Sequence, residues 1–417
     1  MAKYVVTGGK KLAGTVRVSG AKNAALPIMA AALMTEGETI LENVPNIADV
    51  RCMGRILESL GAVVTWLDAN RLSIKVNGKI GSGTPYNLAK KLRASNLLLG
   101  PLAGKLGRAE ISMPGGCLIG SRPMDLHIKG LKAMGADVTT EHGLIKAKGK
   151  LQGEKIYLDF PSVGATENLM MAAVFASGRT ELENAAKEPE IVDLANFLNA
   201  MGAQIRGAGT DLIRIKGVKE LRPVNYSVIP DRIEAGTFAI GAAITGGKVR
   251  LENVIPMHLV PLIAKLKEVG VHLIQEEDAL EVGGKEEYAP TDIKTMPYPG
   301  FPTDLQSPML ALLAKAKGTS MIVENIYENR FRVAGELKRM GANIRVEGQA
   351  AVIVGVDQLY GAQTKATDLR AGAALILAGL AAEGLSEICG IEHIDRGYEG
   401  FQAKWNSLGA EIKRIED

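Results

Sequence analysis

The stretch SMPGGCLIGSRP at 112–123 sets a cysteine among glycines and prolines, with an arginine five residues on. Gly115, Gly116 and Gly120 permit a tight or mobile backbone around Cys117. A guanidinium near the sulfur, here that of Arg122, favours the thiolate, and a thiol poised in this way can pass a proton or form a covalent bond. The residues by themselves leave two readings open: a reactive thiol, or a tight turn that happens to hold a cysteine. Cys52 and Cys389 lie in a helical stretch and a strand and read as inert core thiols.

The elements that must position this loop come from an internal repeat. A strand ends in Glu-Asn or a variant, a helical stretch closes on a glycine, and another strand follows. The closing glycines are Gly61, Gly135, Gly202, Gly270, Gly341 and Gly409. Glycine after the last helical turn supplies the left-handed residue that stops a helix. In the first copy Ile47, Val50, Ile56, Leu57 and Leu60 form one apolar stripe, as a half-buried helix requires. A second helix precedes each strand, as in NAALPIMAAALM from Asn23 and RAGAALILAGLAA from Arg370; these are apolar all round and read as buried on every side. Each unit reads strand, buried helix, strand, surface helix, strand, strand.

Six βαβαββ units predict an α/β protein of two domains with three units each. The sixth unit ends without its hairpin, and YVVTGGKKLAGTVRV near the N-terminus has hairpin character. The expected division is therefore 22–229 as a first lobe carrying the Cys117 loop. Residues 1–21 with 230–417 form the second, the N-terminal strands completing the sixth repeat. Two chain crossings, near Ser19–Lys22 and Ile229–Arg232, make a hinge.

Units that share one topology aim their buried helices the same way, so the positive ends gather and favour anions. At those starts stand Lys22 and Asn23, Arg93 and Ser95, Thr166 and Glu167, Asp231 and Arg232, Asp304, and Asp368 with Arg370. Cys117, Arg122, Arg330, Asp395 and Arg396 lie in loops before the surface helices. Ser95, Thr166 and Asn168 read as ordinary helix caps worth about 1 kcal/mol. Lys22, Arg93 and Arg370 oppose the helix dipole, which makes an anionic ligand the better explanation for them. If the two ends face each other across the hinge, the cleft suits a substrate with several negative charges.

Bulk properties narrow the field. A net charge of +3 recruits neither nucleic acid nor an acidic membrane, and two Trp provide few stacking platforms. The apolar run 24–34 is too short to span a bilayer, and MAKYVVTGG lacks a secretory pattern, so the expectation is a cytoplasmic protein. Three widely spaced cysteines suit a reducing compartment. The five histidines show no metal spacing, and neither a P-loop nor a G-x-G-x-x-G fingerprint occurs, so no metal and no cofactor is expected.

SGAKNAALP at 19–27, PGGCLIGSRPMDLHI at 114–128, PTDLQ at 302–306, DLRAG at 368–372 and DRGYE at 395–399 together resemble the enolpyruvyl transferases, specifically those that act on UDP-N-acetylglucosamine. The resemblance runs the length of the chain and implies a two-lobed inside-out α/β barrel. Leu118 and Ser121 depart from the alanines that many members carry. It implies transfer of the enolpyruvyl group of phosphoenolpyruvate to a sugar 3′-hydroxyl, the first committed step of peptidoglycan synthesis. Nothing in the sequence demands more than a monomer. By the same resemblance Cys117 is the general acid and Asp304 the proton acceptor. Lys22, Arg122, Arg370 and Arg396, with Arg330 nearby, hold phosphoenolpyruvate. Asn23, Arg93, Pro123, Met124, Asp125, Ser162, Val163, Gly164 and Ile326 form the nucleotide-sugar site. The shikimate-pathway transferase, similar in fold but without the cysteine loop, is the alternative enzyme reading. A non-catalytic binder on this fold would need neither Cys117 nor Asp304.

Overall fold

The computed structural model describes residues 2–90, 92–113, 119–120 and 123–416. The chain forms two compact units, one of residues 20–116 and 122–229, the other of residues 1–19, 117–121 and 230–417. Each has its own hydrophobic core, and among the described residues none belongs to both.

In the unit spanning 20–229 the inner helices are Lys22–Ala32, Leu99–Leu106 and Val163–Ala173, the second led in by a tighter turn, Arg93–Leu98. In the other unit they are Arg232–Ile244, Gln306–Leu313 and Leu369–Ala381, which pack against one another pairwise. From Ile233 to Ile244, and throughout Gln306–Leu313, every residue is buried, as the all-round apolar sequences require. The second and third inner helices of the first unit cross closely. The Gly100 N–H donates to Asn168 Oδ1 at 2.6 Å, and a Cβ on Gly100 would stand 2.0 Å from the Asn168 carbonyl oxygen. Gly104, one turn later, faces Ala172 in the same way.

Around the inner helices lie small sheets with one face buried, the inside-out arrangement that the resemblance implies. Thr319–Val323, for instance, pairs in parallel with Ile293–Lys294 and antiparallel with Ala350–Val354. Among the described residues five sheets have four strands. The sheet of Arg108–Ser112 has three, and a lone parallel bridge from Gly83 to Glu110 stands where the fourth strand was expected. The surface helices pack as their stripes foretell: Ile47, Val50, Ile56, Leu57 and Leu60 are all buried. All six closing glycines have positive φ, between 90° and 109°. Cys52 and Cys389 are half-buried thiols rather than core ones.

The Glu-Asn repeat has a structural cause. Asn43, Asn184 and Asn253 take left-handed φ of 54°, 53° and 57°, a region asparagine tolerates best after glycine. Each side chain then donates, at 2.7 Å, to a carbonyl of the segment leading out of the parallel neighbour strand: Val228, Leu158 and Val18 respectively.

The N-terminal strands part company, which the repeat pattern did not foresee. Lys3–Thr7 lies between Leu385–Cys389 and Glu411–Ile415 in the sixth unit's sheet. Ala13–Arg17 instead pairs in parallel with Lys248–Glu252 of the fourth. Asn225–Ser227 likewise pairs in parallel with the strand Gly37–Glu42 of the first unit. The strand before the inner helix thus stays with one compact unit while the helix enters the other.

Candidate active site

In the unit spanning 20–229, Lys22 opens its helix with no side-chain cap, and its Nζ stands 3.0 Å from Asp49 Oδ2 on the surface helix Ala48–Ser59. Both side chains are mostly buried, so Asp49 offsets a cation that the helix dipole disfavours. Asn23 follows it, half-buried. Arg93 begins the turn ahead of Leu99–Leu106 and is also half-buried. Ser162 caps Val163–Ala173, its Oγ accepting from the Ala165 N–H at 3.3 Å, with Val163 and Gly164 in the first turn. Pro123 and Asp125 are exposed and Met124 is buried at the start of Asp125–Ala133. Cys117 and Arg122 lie outside the described residues, as do Leu118 and Ser121.

Ser95, Thr166 and Asn168 are not caps. Thr166 Oγ1 accepts from the Ala186 N–H at 3.1 Å, and Ser95 Oγ donates to the Ala89 carbonyl at 3.4 Å. Asn168 holds the Gly100 N–H on its oxygen, which leaves its amide nitrogen to donate to the Asn96 carbonyl at 3.1 Å and to His127 Nδ1 at 3.0 Å. His127 Nδ1 is therefore an acceptor, and Nε2 carries the proton. Its Cε1–Nε2 edge lies over Gly164. Burial pushes the ring's pKa down to about 4, against Asp125 and with the help of Arg93. His127 is a neutral support between Arg93 and Gly164, a role the sequence reading missed although the PMDLHI motif includes it. Below this region Glu167 is buried, and that burial, reinforced by Glu190 and Glu188, holds its carboxyl protonated well above the usual range.

In the other unit Asp304 sits in a single turn, Thr303–Leu305, ahead of Gln306–Leu313. Its Oδ1 accepts from Arg330 Nη2 at 2.6 Å and its Oδ2 from Arg370 Nη2 at 2.8 Å. Arg330 is 2% exposed and also donates to the Thr303 carbonyl at 3.2 Å. Arg370 is buried in the first turn of Leu369–Ala381, where Asp368 Oδ1 takes the Arg370 and Ala371 N–H groups. Its guanidinium lies 5.4 Å from the Tyr398 ring centre. Burial opposes the charge on Arg370, but Asp304, Tyr398 and Asp231 outweigh it and raise its pKa. Asp231 is a cap, its Oδ1 accepting from the Ile233 and Glu234 N–H groups at 2.7 and 3.0 Å. Ile326 is half-buried before Arg330, and Arg396 is half-buried at the end of the turn Ile391–Arg396.

The structure thus brings Asp304, Arg330 and Arg370 into direct contact, a carboxylate held by two guanidiniums. It sets Arg93, His127 and Gly164 together as a second cluster. Buried guanidiniums in reach of one carboxylate suit an anionic substrate and a proton transfer in one place. Among the described residues no group of three or more His, Cys, Asp or Glu could hold a metal, and no helix is long and apolar enough to cross a membrane.

Comparison with known proteins follows this chemistry. Residues 6–405 match the family model described as EPSP synthase (3-phosphoshikimate 1-carboxyvinyltransferase). The chain is 59% identical over 413 residues to UDP-N-acetylglucosamine 1-carboxyvinyltransferase 1 of Caldanaerobacter subterraneus subsp. tengcongensis, covering 99% of both proteins. It is 56% identical to UDP-N-acetylglucosamine 1-carboxyvinyltransferase 2 of Carboxydothermus hydrogenoformans, covering all of both. Among solved structures, the enolpyruvyl transferase NikO from Streptomyces tendae superposes with a TM-score of 0.91 at 25% identity, over 99% of each chain. EPSP synthase from Acinetobacter baumannii, at 21% identity and a TM-score of 0.76 over the full length of both, shares the fold. With a family model spanning nearly its whole length and relatives this similar from end to end, the chain belongs to the EPSP synthase family of enolpyruvyl transferases.

Proposed function

We propose that this protein transfers the enolpyruvyl group of phosphoenolpyruvate to the 3′-hydroxyl of UDP-N-acetylglucosamine, releasing phosphate, as the first committed step of peptidoglycan synthesis. The observation that carries the reading is Asp304 held between Arg330 and Arg370 in a chain 56–59% identical, end to end, to transferases named for that sugar nucleotide.

The reaction is addition followed by elimination. Cys117 gives a proton to C3 of phosphoenolpyruvate while the sugar oxygen attacks C2, and Asp304 takes the hydroxyl proton. The tetrahedral adduct then returns a C3 proton to the Cys117 thiolate and expels phosphate, which takes the proton held by Asp304, restoring the double bond. Lys22, Arg122, Arg330, Arg370 and Arg396 bind the carboxylate and phosphate and stabilise the charge that develops on them. Asn23, Arg93, Pro123, Met124, Asp125, Ser162, Val163, Gly164 and Ile326 bind the nucleotide sugar. The Cys117 sulfur can also bond to C2 of phosphoenolpyruvate, which makes a pyruvate-type adduct a side state of the same loop. In this reading the enzyme works in the cytoplasm of a cell that builds wall and divides.

Phosphate release by the purified protein, with phosphoenolpyruvate and either UDP-N-acetylglucosamine or 3-phosphoshikimate, tests the reading. Release with the sugar nucleotide alone is expected; release with the shikimate acceptor alone would overturn it. Cys117→Ser is expected to slow turnover strongly, and Cys117→Asp, which keeps an acid, to retain part of it. Full activity in both removes the general-acid role.

A further inference from the structure

Glu324 directly follows the strand Thr319–Val323 and is the glutamate of the Glu-Asn pair in the fifth unit. Its counterparts Glu42 and Glu252 are exposed and Glu183 is half-buried, whereas Glu324 is 1% exposed. The fifth copy alone buries this acid, and it is the copy that carries Asp304 and Arg330. Among the described residues no lysine or arginine pairs with it. Four donors surround it instead. Oε1 accepts from Thr295 Oγ1 at 2.9 Å, the Ile326 N–H at 2.8 Å and the Tyr327 N–H at 3.1 Å. Oε2 accepts from Thr303 Oγ1 at 3.0 Å. Thr295 Oγ1 itself accepts from the Asn325 N–H at 2.9 Å, so its proton is directed to Glu324. With its backbone drawn in this way, Asn325 stays out of the left-handed region that Asn43, Asn184 and Asn253 occupy.

The two groups that Glu324 holds lead to the candidate acceptor from opposite sides. Thr303 immediately precedes Asp304, and its carbonyl takes Arg330 Nη2. The Tyr327 carbonyl takes the Arg330 N–H at 3.3 Å, and the Arg330 guanidinium lies 5.7 Å from the Tyr327 ring centre. A closed circuit results: Glu324, Thr303, Asp304, Arg330, Tyr327 and back to Glu324.

We infer that Glu324 is a positioning residue, clamping the Thr303 turn to the 326–327 backbone so that Asp304 and Arg330 meet in register. This rests on the reading of Asp304 as the proton acceptor. Carboxylate placement matters steeply, since a displacement of about 1 Å can cost about 10²-fold in rate.

Steady-state kinetics of the purified full chain test it, with circular dichroism to confirm folding. Glu324→Ala is expected to lower kcat by about 10²-fold, with the KM for UDP-N-acetylglucosamine changed far less. Thr303→Val, which removes only the link to the Asp304 turn, is expected to lower kcat by about tenfold. Glu324→Gln can keep its oxygen on the three donors and donate its amide to Thr303 Oγ1, and should recover kcat to within about tenfold of the parent. Glu252→Ala, the same motif position in the fourth unit, should leave kcat unchanged. Both limbs of the pH–rate profile should keep their midpoints in every active variant. Folded Glu324→Ala and Thr303→Val with parental kcat overturn the inference. So does an inactive Glu324→Gln together with a lost limb, which would make Glu324 a proton-transfer group. Should Glu324→Ala fail to fold, Thr303→Val decides. A parent without phosphate release for either acceptor removes the functional reading itself.

Discussion

At the scale of single residues, the proposed function gives the Asp304 carboxylate two tasks that substitution separates. Asp304→Asn keeps the shape but removes the negative charge that Arg330 and Arg370 share. Turnover should fall by about 10²–10⁴-fold, the range for losing a general base, while calorimetry shows nucleotide-sugar binding largely kept. Parental turnover would remove Asp304 as acceptor. His127 gives a pH prediction. Burial is the main cause of its folded pKa near 4, below an unfolded value of 6.5. Between those values the unfolded chain binds a proton that the folded chain refuses, so acidification from pH 6.5 to 4 favours unfolding, by roughly 3 kcal/mol at most. Buried Glu234 and Asp193, raised to about 7 and 6, act in the opposite direction over an overlapping range. A difference measurement isolates the histidine. The advantage of the parent over His127→Asn in urea unfolding should narrow between pH 7 and pH 4.5, and an advantage constant with pH would contradict the assignment.

At the scale of elements, the closing glycines do conformational work alone. Gly202 has φ of 109° and open space where a Cβ would go, so Gly202→Ala should cost about 1–2 kcal/mol of backbone strain, read from thermal melts. Gly100→Ala should cost more, because the added carbon runs into the Asn168 carbonyl. Much of this level was legible in the sequence. Helical periodicity, glycine stops and all-round apolar runs are local signals, and the stripe Ile47 to Leu60 is buried as written. Asn168 and Thr166 were misread because serine, threonine and asparagine form caps and interhelix bonds with the same atoms. The pairing of Ala13–Arg17 with Lys248–Glu252 left no local trace, since any exposed strand edge could accept it. Asp304, Arg330 and Arg370, which the motifs named, meet in the structure. The contacts of Glu324 and His127 were not legible, because their partners are distant in sequence.

At the scale of the whole molecule, two cores without a common residue predict separable responses to damage. Trp405 is fully buried against Phe238 and Phe401 in the core of the unit holding 230–417. Trp405→Ala should cost that unit about 3–5 kcal/mol. Hydrogen exchange should then show amides of 230–416 losing protection while those of 22–113 and 123–229 keep theirs; uniform loss would mean a single cooperative block. The parting of the N-terminal strands also dictates an order of birth. By the time Ile229 has left the ribosome, every strand of the sheets within 37–227 has been made. Lys3–Thr7 and Ala13–Arg17 are older than all of them, yet they stay unmated until 248–252 and 385–389 emerge. The guest is finished before its host can begin to close, and a translational pause after Ile229 prolongs the exposure of those two strands alone.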